Sequence, residues 1–351
     1  MGTREKDERL KAIWDSGGET YSISRLNTIN QCEYQAYLHY VLNEPEESNI
    51  WAIAGGKVHD VIEGCIKGTN APSDMKAAIE QELDDAALLG IDFPHSANGG
   101  TAIRDNWIAN MTKFAEVFTT PKGKFDTEEL VIFPVGNNAY MIGYIDAIRY
   151  NDDGTISIID WKTSSQFRGN HLLEAGRQLI VYAMAMELQG HKVRDAQWCM
   201  LKYAKTIYPG AKTGKISEWR NLIKDLKTPI MTALKAAGYD KYDSNLFYSD
   251  ALESNSFEPL PDKVKSLFRT TIYVRQYEIT DELRKECMEY IQNGIQKFHE
   301  IQNCDGECGH RNIDDDSFFC SGLCGFRKKC KHYNDWKDRK YDSEENFDDL
   351  F

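Results

Sequence analysis

Two apolar runs, residues 140–150 and 155–162, are separated by Asn151-Asp152-Asp153-Gly154, and no other stretch constrains the chain as tightly. Asn, Asp and Gly tolerate the backbone of a tight turn, so the spacing predicts an antiparallel hairpin. Side chains alternate along a strand, which puts Asp160 and Lys162 on one face. Counting back across the turn brings Asp146 within one position of Asp160. Two carboxylates and one ammonium are therefore expected at one spot. Paired hard oxygen donors suit Mg²⁺ or Mn²⁺, and a neighbouring lysine can hold and polarise an attacking water. Taken singly, an Asp-x-Lys triplet is equally at home in a surface salt-bridge cluster.

Around the hairpin the apolar periodicity alternates between helix and strand. Ser24 reads as the N-cap of a helix that reaches about Leu42 and carries Cys32. Helices are predicted over 51–66, 73–90, 101–118, 172–188 and 280–301, and strands over 131–133, 196–203 and 270–279. Residues 1–21 read as a loose polar arm and 22–303 as the main domain. Within that domain, about 67–128 reads as a helical insertion and about 204–262 as an irregular basic one with a single helix near 217–236. A cysteine-rich region, 304–340, and an acidic tail, 341–351, close the chain. The order implies a mixed α/β core, a central mixed sheet flanked by helices.

The net charge is −13, from 42 basic and 55 acidic residues, so any nucleic-acid contact has to rest on local patches. Lys202, Lys205, Lys212, Lys215, Arg220, Lys224, Lys227 and Lys235 face only Glu218 and Asp225 in their stretch. Tyr203, Tyr208 and Trp219 are interleaved, as on surfaces that track single strands by stacking and phosphate contact. Arg327-Lys328-Lys329-Cys330-Lys331 offers a second patch. Both also read as solvated lysine-rich surface. No run approaches the roughly 18 apolar residues of a membrane span, and Met1–Lys6 holds no apolar signal core, so a cytoplasmic protein is expected.

The nine cysteines include five within the last fifth of the chain, which in a reducing compartment suggests metal ligation. Cys304, Cys308 and His310 have zinc-like spacing; a separate site, substitute ligands and plain loop residues all remain open. Cys65, Cys199 and Cys287 fall in periodic segments and read as core. On a helix, His59 and Glu63 share a face, as do Gln178 and Tyr182. Each pair alone would pass for ordinary structural contacts.

Together, His59, Gly143-x-x-Asp146, Asp160-x-Lys162 and Gln178-x-x-x-Tyr182 resemble the RecB branch of the PD-(D/E)XK nuclease superfamily. Ser22-Ile23-Ser24-Arg25-Leu26, Cys32 and the late Cys320, Cys324 and Cys330 resemble its subset with an iron–sulfur cluster, which includes the AddB nuclease domain and the CRISPR-associated RecB-like exonucleases. The resemblance spans residues 22–330. It implies a DNA exonuclease acting on single-stranded or end-processed DNA, with a structure-selective endonuclease or a non-catalytic, zinc-stabilised DNA- or partner-binding protein as alternatives. It implies His59, Asp146, Asp160 and the Trp161 carbonyl as ligands of Mg²⁺ or Mn²⁺, and Lys162 as the water-positioning lysine. Gln178 and Tyr182 would be a substrate-proximal pair, and Glu63 a supporting group. Cys32, Cys320, Cys324 and Cys330 would hold a structural [4Fe–4S] cluster. Two departures stand out: Ile145 replaces the family's proline, and three residues, not two, separate Cys320 from Cys324. With no helicase motif in the chain, the implied partners are DNA, a single-stranded-DNA-binding protein, a helicase or a recombination protein. The tail, 341–351, reads as a disordered solubilising tail; it also resembles the acidic, Phe-terminated tails of single-stranded-DNA-binding proteins, which would have it compete with DNA for the basic patch Lys202–Lys235.

Overall fold

The computed structural model describes residues 7–95 and 99–348, with side chains described up to Lys340. In chain order the elements are α1 (Glu8–Asp15), β1 (Glu19–Tyr21), α2 (Ile23–Gln31), α3 (Glu33–Ala36), α4 (Ile50–Lys67), α5 (Asp74–Leu88) and α6 (Ala102–Val117). There follow β2 (Lys124–Gly136), β3 (Ala139–Tyr150), β4 (Ile156–Lys162), α7 (Asn170–Leu188), β5 (Val193–Ile207) and β6 (Lys215–Glu218). Last come α8 (Leu222–Asp225), α9 (Lys227–Ala236), α10 (Lys241–Ser254), α11 (Asp262–Lys265), β7 (Arg269–Tyr277), α12 (Asp281–Ile301) and α13 (Lys331–Asp348).

The sheet is mixed. β3 carries β2 antiparallel along one edge; its other edge takes β1 in parallel beside Ala139–Met141 and β4 antiparallel beside Ala147–Tyr150. β4 and β5 are parallel and joined through α7, a crossover that a two-residue turn could not make. β7 runs antiparallel along the far edge of β5, and β6 pairs with the end of β5. Helices cover both faces. One core packs α4, α5, α6 and α8–α11 onto Ile159, Trp161 and Leu201; the other packs α7 onto Ile145, Ile158 and Trp198. A third cluster joins α2, α7 and α12 around Met141. The alternation along β4 (Ile158 toward α7, Ile159 and Trp161 toward α4) is what a strand buried on both faces requires.

The mixed α/β core is as expected, and three local readings need correcting. The helix across Cys32 is not continuous: Ser22, not Ser24, caps α2, and the chain turns extended at Cys32 (φ −158°, ψ 104°) before α3 and a π-helical turn, Tyr37–Val41. Residues 204–262 are not irregular, because four helices cover most of the stretch beyond 221. The N-terminal arm is pinned, since Leu10 is buried and β1 joins the sheet. Of the acidic tail, residues 341–348 continue the backbone of α13, while residues 349–351 and residues 1–6 lie outside the described residues. Cys65, Cys199 and Cys287 are buried core thiols. Among the described residues no helix is long and apolar enough to cross a membrane.

Candidate active site and cysteine cage

The β3–β4 ladder ends at Ala147↔Ile159, so Asp146 and Asp160 face each other one step beyond its last rung. Asp146 Oδ2 accepts a 2.7 Å hydrogen bond from the Trp161 backbone N–H, which aims the carboxylate at the end of β4. Lys162 Nζ lies 2.7 Å from Asp160 Oδ2, as their shared strand parity requires. Asp160 is 1% exposed, and its Oδ2 receives no hydrogen bond of normal geometry. On the facing helix, α4, Asn49 caps the start through the Ala52 N–H, and Gly68 ends it in the left-handed region. That register delivers His59 Nδ1 to 3.6 Å from Asp146 Oδ2.

Burial and then the Asp160 charge push the Asp146 carboxyl up to about 8. Burial opposes charge on Lys162, but the Asp160 and Asp146 carboxylates outweigh it and hold the ammonium above its ordinary value. Burial, followed by Lys162, lowers His59 to about 4, leaving a neutral imidazole with a free lone pair at neutral pH. One cation therefore faces two carboxyl groups, and its ion pair with Asp160 Oδ2 is buried. That donor set fits a hard divalent cation. Among the described residues no three or more His, Cys, Asp or Glu side chains are placed to hold a metal ion together.

Gln178 and Tyr182 meet as their spacing requires: Gln178 Nε2 donates to Tyr182 Oη at 2.8 Å. The Tyr182 hydroxyl in turn donates to the Tyr144 carbonyl at 2.7 Å. Burial first, then Asp160, raises Tyr182, so it stays a neutral donor. Gly143 is required by this contact, because a Cβ there would sit 2.6 Å from Tyr182 Cε1. The pair thus braces β3 two residues before Asp146. Glu63 is held by Lys67 and by Thr127 Oγ1, with no contact to the two aspartates.

Glu128 went unnoticed in the sequence, whose strand pattern begins only at 131. The β2–β3 register, Thr127↔Ala147 and Glu129↔Ile145, places it opposite Asp146, where the ladder is interrupted and its φ is 55°. Burial, then Glu63 and Asp60, raise its carboxyl.

Cys32, Cys320, Cys324 and Cys330 all line one apolar cavity with Tyr34, Leu38 and Phe326, and none is in a disulfide. Cys32 reaches the cavity from the extended break between α2 and α3. Burial raises Cys320 to about 11 and raises Cys324 and Cys330 as well. Four thiols thus border one apolar hollow, the donor type an iron–sulfur cluster takes, although as placed no three of them form a metal-holding group. Cys304 and Cys308 are instead joined to each other as a disulfide, and His310 stacks on His332 at 3.8 Å.

The basic patches are rearranged relative to expectation. Arg327 and Lys328 pair with Glu47, Lys329 with Glu44 and Lys331 with Glu307, so the second patch is a clasp onto the 44–47 segment. Lys202 and Arg220 both pair with Glu218. Tyr203 and Trp219 are buried core residues, and Trp219 Nε1 donates to the Leu201 carbonyl, so neither is a stacking platform.

A mixed sheet with α4 before the β2–β3–β4 meander, α7 crossing to β5, and Asp146, Asp160 and Lys162 at the strand ends is the arrangement of a metal-dependent nuclease core. The family model of the PD-(D/E)XK nuclease superfamily matches residues 20–330, and the chain belongs to that superfamily. Comparison with curated proteins finds no match. Members of the superfamily use divalent metals such as Mg²⁺ or Mn²⁺.

Proposed function

We propose that the chain is a metal-dependent exodeoxyribonuclease acting on single-stranded or end-processed DNA, stabilised by a [4Fe–4S] cluster on Cys32, Cys320, Cys324 and Cys330. The observation that carries the reading is the meeting of Asp146, Asp160 and Lys162, with neutral His59 beside them. Asp146, Asp160 and His59, with the Trp161 carbonyl, would hold Mg²⁺ or Mn²⁺, which supplies Lewis-acid polarisation of the scissile phosphate and acidifies water. Lys162 orients the attacking water and meets the negative charge that builds on phosphorus. Asp160 holds the Lys162 ammonium in place, and the Trp161 N–H holds the Asp146 carboxylate. Tyr182 and Gln178 fix the height of β3 and so the separation of the two carboxylates.

The test is anaerobic purification with iron and sulfide assay, then digestion of single-stranded and duplex DNA, each labelled at one end, with Mn²⁺ or Mg²⁺. Progressive shortening from an end supports the exonuclease. Cleavage of circular single strands would replace it with an endonuclease at the same site.

A further inference from the structure

Three of the chain's lysines converge where no acidic partner meets them. Lys227, Met231 and Lys235 follow one another at helical spacing on α9, so the two ammonium groups share a face. Lys241 opens α10 across a cleft of about 630 Å³ that all three lysines line. None of the three makes an ion pair among the described residues; Lys227 rests over the Tyr248 ring at 5.5 Å. Thr228, Thr232 and Ser244 add hydroxyls to the lining. The acid in the wall, Asp240, is committed to capping α10 through the Asp243 N–H at 2.9 Å. A fourth cation, Lys263, stands 4.5 Å from the ring of Tyr239, another lining residue.

We infer that this cleft is a phosphate-backbone subsite for a DNA strand, separate from the cleavage centre. Charge complementarity favours that occupant: in a chain of net charge −13, three lysines against the single Asp240 carboxylate leave the cleft locally positive, which favours a polyanion. Lys227 and Lys235 stand about 12 Å apart along the helix at 1.5 Å per residue. Each lysine can meet one phosphate of a strand laid along the cleft, so the three together would make about three phosphate contacts. Thr and Ser hydroxyls suit phosphate oxygens, and the one ring in the lining, Tyr239, is engaged by Phe247 at 5.1 Å and by Lys263 at 4.5 Å. The cleft therefore holds the strand by its backbone, without reading sequence. It rests on the nuclease reading only in taking DNA as the polymer.

The test is an anisotropy titration of the full chain with labelled oligothymidylate of about thirty nucleotides, without added divalent cation, between roughly 0.05 and 0.4 M KCl. At about 0.7 per phosphate contact, Lys227→Gln/Lys235→Gln/Lys241→Gln should flatten the plot of log K against log salt by about 2. The same arithmetic weakens binding about a hundredfold at 0.1 M salt. Lys235→Gln alone should take about 0.7 from the slope and guards against a misfolded triple variant. Lys285→Gln, on α12, is the control and should keep the parent slope. A triple variant with the parent slope and Kd overturns the cleft and leaves the nuclease reading intact. A parent chain that binds the oligonucleotide but never cuts DNA sinks the nuclease reading and leaves the cleft.

Discussion

Asp160 is buried, faces Asp146 and has Lys162 as its cation. Asp160→Asn should lower cleavage by about 10²–10³-fold, and Lys162→Ala by a similar factor, because each removes stabilisation that matters only as charge builds on the phosphate. End-label assays at saturating DNA check this, and full turnover in both variants would sink the assignment. Asp146 and His59 together give a pH signature in the metal-free protein. The native Asp146 carboxyl keeps its proton up to about 8, where the unfolded chain has long lost it, so rising pH favours unfolding. Native His59 instead sheds its proton near 4, below its ordinary 6.5, which favours folding as pH rises between those values. The two offset below 6.5, and only the Asp146 term remains above it. Metal-free protein should thus lose at most about 1.4 kcal/mol per pH unit from 6.5 to 8. Urea melts at three pH values would read the slope; Asp146→Asn or added Mg²⁺ should abolish it.

The site is precise because whole elements are locked to one another. α7 reaches β3 through one hydroxyl, Tyr182 to the Tyr144 carbonyl, and Gln178 holds that hydroxyl from behind. Tyr182→Phe deletes both hydrogen bonds, so it should cost about 1–3 kcal/mol. Chemical denaturation measures that loss; kcat should also fall, since β3 carries Asp146. A stability loss with unchanged kcat would make the tyrosine a plain packing residue. β4 was legible as an element because alternation and a tight turn are local signals. The break after α2 was not: Cys32 lies within a run whose periodicity continues on both sides, and its extended backbone stands where distant chain packs, beside the cavity and the Tyr34 N–H bond to Gly309.

At the scale of the molecule, residues 34–47 are tied to the cysteine-rich region. Tyr34 N–H donates to the Gly309 carbonyl, Glu47 N–H to the Gly325 carbonyl, and Glu44 and Glu47 take Lys329, Arg327 and Lys328. Exposed ion pairs are worth about 0–1 kcal/mol each, so the proposed cluster would be the main strut. Cys32→Ser should therefore lose iron, visible absorbance and several degrees of melting temperature together, as should Cys324→Ser. Cys304→Ser should keep the colour, its partner being Cys308; a colourless Cys304 variant beside a brown Cys32 variant would reverse the ligand assignment. The hairpin, the face shared by Asp160 and Lys162, the proximity of Asp146 and the spacing of Gln178 with Tyr182 were settled by sequence alone, since each follows from a local period. Tertiary structure alone decided that Glu128 stands opposite Asp146, that Arg327, Lys328 and Lys329 serve a clasp, and that Lys241 joins Lys227 and Lys235. A charge can be read from sequence, but its partner depends on which distant elements pack beside it, and that is set by burying apolar faces rather than by any local pattern.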